Sequence, residues 1–277
     1  MIGDAGVLTL RSGARLHFGD VGSGPPLILL HGSPGSGRAW RNVAKHLPAG
    51  MRLLTPDLPG YGESDPLPGE TPQGTDAIAA AAGELIEHCD EPVWLCGHSY
   101  GGNVALHAAL QCPRRVRGLA LVEPVFLRAL DLAGKQAEFL EAEAFFTTYL
   151  VRVGLAEPDA IGLMIDFWTG AGAYAGLPAR QRYFLNEAAV KNAEDVRASF
   201  SETITAAQLK ALDLPVSISI GSASPPLARM IADALVGLLP RADLHAIPDA
   251  THAMLDTHPK EVAMFLDRVC RSRVAVG

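Results

Sequence analysis

The residues whose types and spacing could do chemistry begin at Gly97-His98-Ser99-Tyr100-Gly101, with Gly102 following. The run fits G-x-S-x-G and lies between a strand-like apolar segment, Pro92 to Cys96, and a helical one, Gly101 to Gln111. A strand that turns sharply into a helix strains the backbone of its middle residue and tolerates only small neighbours. Gly97 and Gly101 supply that room, so Ser99 is expected to project its hydroxyl above a sheet. The helix N-terminus behind it favours developing negative charge. The chemistry is nucleophilic attack. The competing reading is an ordinary glycine-rich strand-to-helix turn; five residues alone match by chance, and the flanks favour the nucleophile.

A serine hydroxyl is too weakly acidic to attack unaided and needs a base. Of nine histidines, His17, His46, His88, His107 and His245 fall within strand or helix patterns and read as packing or surface residues. His252 differs, because it follows a strand ending at Ile247-Pro248, in the loop Asp249-Ala250-Thr251, just before the final helix. That puts it at the C-terminal edge of a sheet, where open α/β folds meet their ligands. The base must be oriented and its positive charge stabilised. Glu123 ends the strand Val116 to Val122 and precedes Pro124, a place where a carboxylate is costly without a partner. Anchoring the helices that follow is the competing role for Glu123. An oxyanion needs two backbone N–H groups aimed at one point. Tyr100 offers one, and the loop His31-Gly32-Ser33-Pro34-Gly35-Ser36 offers the other, with Ser33 as the expected amide.

The elements that must position these groups follow from hydrophobic period. Val7 to Arg11 and Arg15 to Val21 read as a hairpin across Ser12-Gly13. Leu27 to Leu30, Arg52 to Thr55, Pro92 to Cys96, Val116 to Val122, Val216 to Ile220 and Asp243 to Ile247 read as further strands, several apolar on both faces. Helices are expected over Ser36 to Leu47, Thr75 to His88, Gly101 to Gln111, Leu227 to Leu238 and Lys260 to Val269, with loop from Asp57 to Gly74. This alternation predicts an α/β fold with a mostly parallel central sheet flanked by helices. It breaks at Pro124. From there to Gln208 the pattern is helical and carries Phe139, Phe145, Phe146, Tyr149, Met164, Phe167 and Trp168. The expected division is a core of 1–123 and 209–277 with an inserted helical cap over 124–208.

Composition narrows the function further. The chain has 277 residues, with 23 Lys and Arg against 30 Asp and Glu and a net charge of −7, so nucleic acid is not an expected partner. Cys89, Cys96, Cys112 and Cys270 have no metal or redox spacing and read as reduced thiols. Met1 to Leu10 lacks a basic leader, and no apolar run approaches the ~20 residues of a membrane helix. A cytoplasmic protein without membrane partner, cofactor or metal is expected. Gly22-Ser23-Gly24 lacks the following helix that a phosphate loop requires.

With these residues in hand, the chain resembles the α/β-hydrolase superfamily over nearly its whole length. His31 to Gly35 is similar to that family's oxyanion loop, and Asp57-Leu58-Pro59-Gly60-Tyr61-Gly62-Glu63-Ser64 to its D-x-x-G-x-G-x-S turn. Gly97 to Gly101 looks like its nucleophile elbow, and Asp249 to His252 with Pro259 like its histidine loop. One departure stands out. The family's usual acid follows the strand read here as Val216 to Ile220, where this chain has Gly221-Ser222-Ala223-Ser224. Some haloalkane dehalogenases instead carry a glutamate after the preceding strand, strand 6, and Glu123 matches that position. The resemblance therefore implies a triad of Ser99, His252 and Glu123, with Ser224 inert to substitution. Haloalkane dehalogenases and epoxide hydrolases of this superfamily place an aspartate at the elbow, so Ser99 argues against both chemistries.

The implied function is a serine hydrolase that cleaves a carboxylic ester or related acyl substrate through an acyl-enzyme. The same triad also serves lactonases, thioesterases, C–C bond hydrolases and perhydrolases, and some relatives only bind small ligands. The aromatic residues of 124–208 suggest an apolar pocket for the acyl group, with Phe126 and Trp168 as its expected lining. The sequence leaves the oligomeric state open.

Overall fold

The short apolar runs build one eight-stranded sheet in the order β1-β2-β4-β3-β5-β6-β7-β8. The computed structural model describes residues 4–69 and 73–271. Its strands are β1 (Asp4–Thr9), β2 (Arg15–Gly22), β3 (Pro26–Leu30), β4 (Arg52–Pro56), β5 (Val93–His98), β6 (Val116–Val122), β7 (Val216–Gly221) and β8 (Ala242–Ile247). β1 and β2 form the expected hairpin with Leu8 opposite Leu16, and β2 runs antiparallel to β4. Every pairing from β4 to β8 is parallel. The expectation of no leader begins at residues 1–3, and the expected loop over 57–74 includes residues 70–72; both stretches lie outside the described residues.

Parallel strands covered on both faces need apolar residues at every position, and all five residues of β3 are buried. Their side chains alternate between two clusters. Leu27 and Leu29 pack with Trp40, Trp94, Phe265 and Leu266, beneath the C-terminal helix Pro259–Arg271. Ile28 and Leu30 pack with Leu85, Val104, Leu119 and Ile231, beneath the helices Thr75–His88, Tyr100–Gln111 and Pro226–Leu238. The helix expected over Ser36 to Leu47 is instead a 3₁₀ turn, Gly37–Trp40, running into a single α turn, Arg41–Ala44. Trp40 and Val43 are three apart and face the same way in either helix type, so both reach the core without a longer helix.

Between β6 and β7 the chain makes six helices: Arg128–Leu132, Gln136–Gly154, Ile161–Thr169, Ala179–Glu187, Ala189–Phe200 and Ala206–Ala211. The last opens on a capping box, in which Thr205 and Gln208 satisfy each other's backbone amides. Phe146 centres an aromatic group with Phe145, Phe167, Trp168 and Phe200. This group joins the same apolar cluster as Leu119 and Leu121 of the sheet. Among the described residues no helix is long and apolar enough to cross a membrane.

Candidate active site

The site assembles at the C-terminal edge of the parallel strands. β5 ends at His98, and Ser99 turns the chain into the helix Tyr100–Gln111 with φ 56° and ψ −127°. Side chains rarely adopt this left-handed conformation, which costs of order 1–3 kcal/mol and persists only when its surroundings enforce it. Here the Ser99 N–H donates to the Val122 carbonyl at 3.0 Å, and the Gly102 N–H donates to the Ser99 carbonyl at 2.8 Å. A Cβ on Gly97 would lie 2.1 Å from the Gly101 carbonyl oxygen, and one on Gly101 would lie 2.5 Å from that of Leu30. Glycine at both positions is thus a packing requirement of the turn.

Ser99, His252 and Glu123 form one hydrogen-bonded chain. His252 Nδ1 stands 2.9 Å from Glu123 Oε1, and Nε2 stands 2.9 Å from Ser99 Oγ. A carboxylate only accepts, so Nδ1 carries the proton, and Nε2 of the neutral ring is left to accept from the serine hydroxyl. Glu123 follows β6 directly, at φ 46°, and its N–H donates to the Ser219 carbonyl at 2.7 Å. Its second oxygen, Oε2, accepts from the Gly221 amide at 2.8 Å and from the Ser224 hydroxyl at 2.7 Å. Burial pushes the Glu123 carboxyl upward. The hydrogen bond and charge of His252, with the Gly221 and Ser224 donors, outweigh that and hold it below its ordinary range. Ser224, expected to be inert, is a direct partner of the buried acid.

Two further histidines brace this arrangement. His98 donates from Nε2 to the His252 carbonyl at 3.1 Å. Burial, reinforced by the neighbouring His252, pushes the His98 imidazole down to about 3, so it stays neutral. His31 accepts the Leu58 N–H at Nε2, 2.9 Å away, and donates from Nδ1 to the Gly32 carbonyl at 2.7 Å. Burial likewise lowers His31, whose neutral ring ties the loop after β3 to the turn after β4. Trp168 stacks on the His252 ring with centroids 4.8 Å apart and planes 28° from parallel.

A cavity of about 90 Å³ opens onto Ser99 and His252, room for a handful of waters. Ser33 and Tyr100 both line it, as does Trp168. No acceptor among the described residues takes the Ser33 N–H. Phe126 corrects the expectation: it is fully buried in the core and does not reach the cavity. Its neighbours Val125 and Leu127 line the wall instead. Phe146, Met164 and Ile165 make the wall largely apolar, while Asn192, Asp195 and Ser199 give it a polar flank that sequence reasoning missed.

None of His17, His46, His88, His107 and His245 lines the cavity. His107 is neither a surface residue nor simple packing. It is buried and paired with Glu202, which also accepts from Thr75 and Asn103 at 3.0 Å each. Among the described residues no group of three or more His, Cys, Asp or Glu side chains could hold a metal ion.

A mostly parallel sheet bearing a strained serine, a histidine and a buried carboxylate at one edge defines an α/β hydrolase. The chain belongs to the alpha/beta hydrolase family, whose model matches residues 27–265. It is similar to the pimeloyl-[acyl-carrier protein] methyl ester esterase of Aromatoleum aromaticum, 28% identical over 89% of this chain and 98% of that protein. It is also similar to lipase LipV of Mycobacterium tuberculosis, 40% identical over 52% of this chain and 53% of that one. In fold it matches a solved thermophilic esterase from Thermogutta terrifontis with malate bound. The TM-score is 0.72 at 23% identity, covering 97% of this chain and 98% of the other. Esterases, lipases and epoxide hydrolases all occur among its curated relatives.

Proposed function

We propose that this protein is a serine hydrolase that cleaves carboxylic esters or closely related acyl compounds through an acyl-enzyme intermediate. The observation that carries the proposal is the unbroken chain from Ser99 Oγ through both nitrogens of His252 to Glu123, at 2.9 Å per link. His252 Nε2 takes the serine proton as Ser99 Oγ bonds to the substrate carbonyl carbon. The amides of Ser33 and Tyr100 stabilise the oxyanion, and Glu123 stays ionised and fixes the imidazole tautomer. His252 then gives its proton to the leaving alcohol as the ester bond breaks. Water repeats the sequence on the acyl-enzyme and releases the acid, without a cofactor. An aspartate nucleophile, expected for epoxide or haloalkane opening, is not what stands at the elbow.

The substrate proposed is a small molecule with an apolar acyl group, matched to Val125, Leu127, Phe146, Met164 and Trp168 around the cavity. The helices of 124–208 act as a cap on a core of 1–123 and 209–277. The named activity of the methyl ester esterase relative supports an ester rather than another acyl bond. Four free cysteines are consistent with work in the reducing cytoplasm.

The test is hydrolysis of p-nitrophenyl esters from acetate to decanoate by the wild type and by Ser99→Ala. Turnover lost in the variant supports the proposal, and the chain-length optimum sizes the acyl pocket. A wild type that neither turns over any ester nor labels at Ser99 with a fluorophosphonate would overturn it in favour of ligand binding.

A further inference from the structure

The polar flank of the cavity is a directed chain of hydrogen bonds. Tyr149 Oη donates to Asn192 Oδ1 at 2.6 Å, and Asn192 Nδ2 donates to Ser33 Oγ at 2.9 Å. Ser33 Oγ and Tyr61 Oη are 2.7 Å apart, and Tyr61 Oη donates to Asp195 Oδ2 at 2.6 Å. The single phenolic proton is therefore committed to Asp195, so Ser33 must donate to Tyr61 and accept from Asn192. The chain ends on the Asp195 carboxylate, whose other oxygen is held by Lys191. Burial and the nearby Asp195 charge push the Tyr61 hydroxyl far up, so its proton stays in place.

We propose that Asn192 is a positioning residue for the Ser33 amide, so that the helix Ala189–Phe200 completes the oxyanion-binding loop from across the cavity. The inference rests on the serine-hydrolase reading and adds a residue to it. The physical reason is geometric. Ser33 is fixed at its side chain by one donor and one acceptor, both supplied by buried groups, and its N–H springs from the same Cα. With Asn192 and Asp195 only 1% and 2% exposed, a lost link leaves a polar group whose sole replacement partner would be a water in the cavity, which does not hold the Ser33 backbone in place. Burying this many polar groups is a costly way to seat a helix on a sheet, since apolar packing would do it more cheaply. The arrangement makes sense if what is held is the direction of the Ser33 N–H. Misplacing such a donor by an ångström costs up to about 10²-fold in rate.

The test is a double-mutant cycle between Asn192 and Ser33, read on the p-nitrophenyl ester that the wild type cleaves fastest. Asn192→Leu, and Asn192→Ala as the variant that adds no bulk, should lower kcat by about ten- to a hundredfold with KM nearly unchanged. In a Ser33→Ala background, where the hydroxyl link is already gone, the same substitutions should change kcat by less than about twofold. Thermal unfolding of each variant confirms that it is folded at the assay temperature. The inference is overturned if the loss persists in full in the Ser33→Ala background, or if it falls on KM with kcat intact. An active wild type with either of those results sinks only this inference. A wild type without ester turnover or fluorophosphonate labelling sinks the serine-hydrolase reading and this inference with it.

Discussion

Ser224 donates its hydroxyl to Glu123 Oε2 at 2.7 Å, so the residue standing where an acid was expected serves the acid that stands elsewhere. The carboxylate stands at the end of β6, and the loop after β7 supplies a donor to its far oxygen. Glu123→Gln is expected to lower kcat by about 10⁴-fold, by analogy with loss of a triad's orienting acid. Ser224→Ala is expected to destabilise the fold by about 1–3 kcal/mol, the range for a buried charged acceptor that loses a donor. Steady-state kinetics and urea unfolding of the two variants check both values. A Ser224 variant that loses activity while Glu123→Gln keeps it would reverse the assignment.

Acid should weaken the fold through two groups whose windows open at different pH and overlap below 4.5. His98 has a folded value of about 3 against an ordinary 6.5, so the unfolded chain binds a proton that the folded one refuses. Its contribution is complete above 6.5 and is lost toward 3, at about 1.4 kcal/mol per pH unit. Glu123, held below its ordinary 4.5, contributes fully above that value and loses its share as pH falls through its lowered folded value. Urea midpoints at about pH 7 and about pH 5 read a histidine window that His98 shares with His31, also lowered by burial, and that lies above the Glu123 one. His98→Gln keeps a donor for the His252 carbonyl and should show the smaller decline; equal declines would remove His98 from the explanation.

Trp168 covers one face of the His252 ring, and the ring turns cationic midway through the proposed reaction. A cation over an indole face gains about 0.5–2 kcal/mol, so Trp168→Leu should lower kcat by about two- to thirtyfold. Trp168→Phe, which keeps an aromatic face, should fall between the two. Identical rates for the Leu and Phe variants would show that the stack does nothing for the imidazolium.

His107 and Glu202 are a buried pair beneath the cavity, with side chains 5% and 0% exposed. His107→Leu takes one hydrogen-bond partner from the buried Glu202 side chain, which keeps Thr75 and Asn103, and should cost about 1–3 kcal/mol. Replacing both by leucine should recover most of that loss. Denaturant unfolding of the single and double variants decides it, and a double variant as unstable as the single would show that the two side chains do not act as a pair.

Much of this was legible in the sequence, for identifiable reasons. β3 and β5 declared themselves because a strand covered on both sides must be apolar throughout, and Pro26 to Leu30 and Val93 to Gly97 are. The strained turn at Ser99 was visible because its backbone admits only glycine at Gly97 and Gly101, which leaves a mark in residue types. Ser36 to Leu47 misled because Trp40 and Val43 satisfy a helical period within one short turn. Phe126 misled by one residue, since hydrophobicity does not say to which side of a turn a ring points. The link from Asn192 to Ser33 spans 159 positions and that from Tyr61 to Asp195 spans 134. No local pattern encodes such pairings, and Asn192 and Asp195 look on paper like the wet side of an ordinary helix.

The apolar cluster that runs without a break from Leu119 and Leu121 through Phe126 and Leu130 to Phe146 and Trp168 has a consequence for how the molecule breathes. A flap hinged at its ends could swing open only by wetting carbon on both sides at once, at roughly 25 cal/mol for each Å² bared. Amide protons in Gln136–Gly154 should trade with deuterium in step with those of β6, as one cooperative unit. Cutting the helical excursion away would leave the sheet with a greasy face in place of a smaller enzyme.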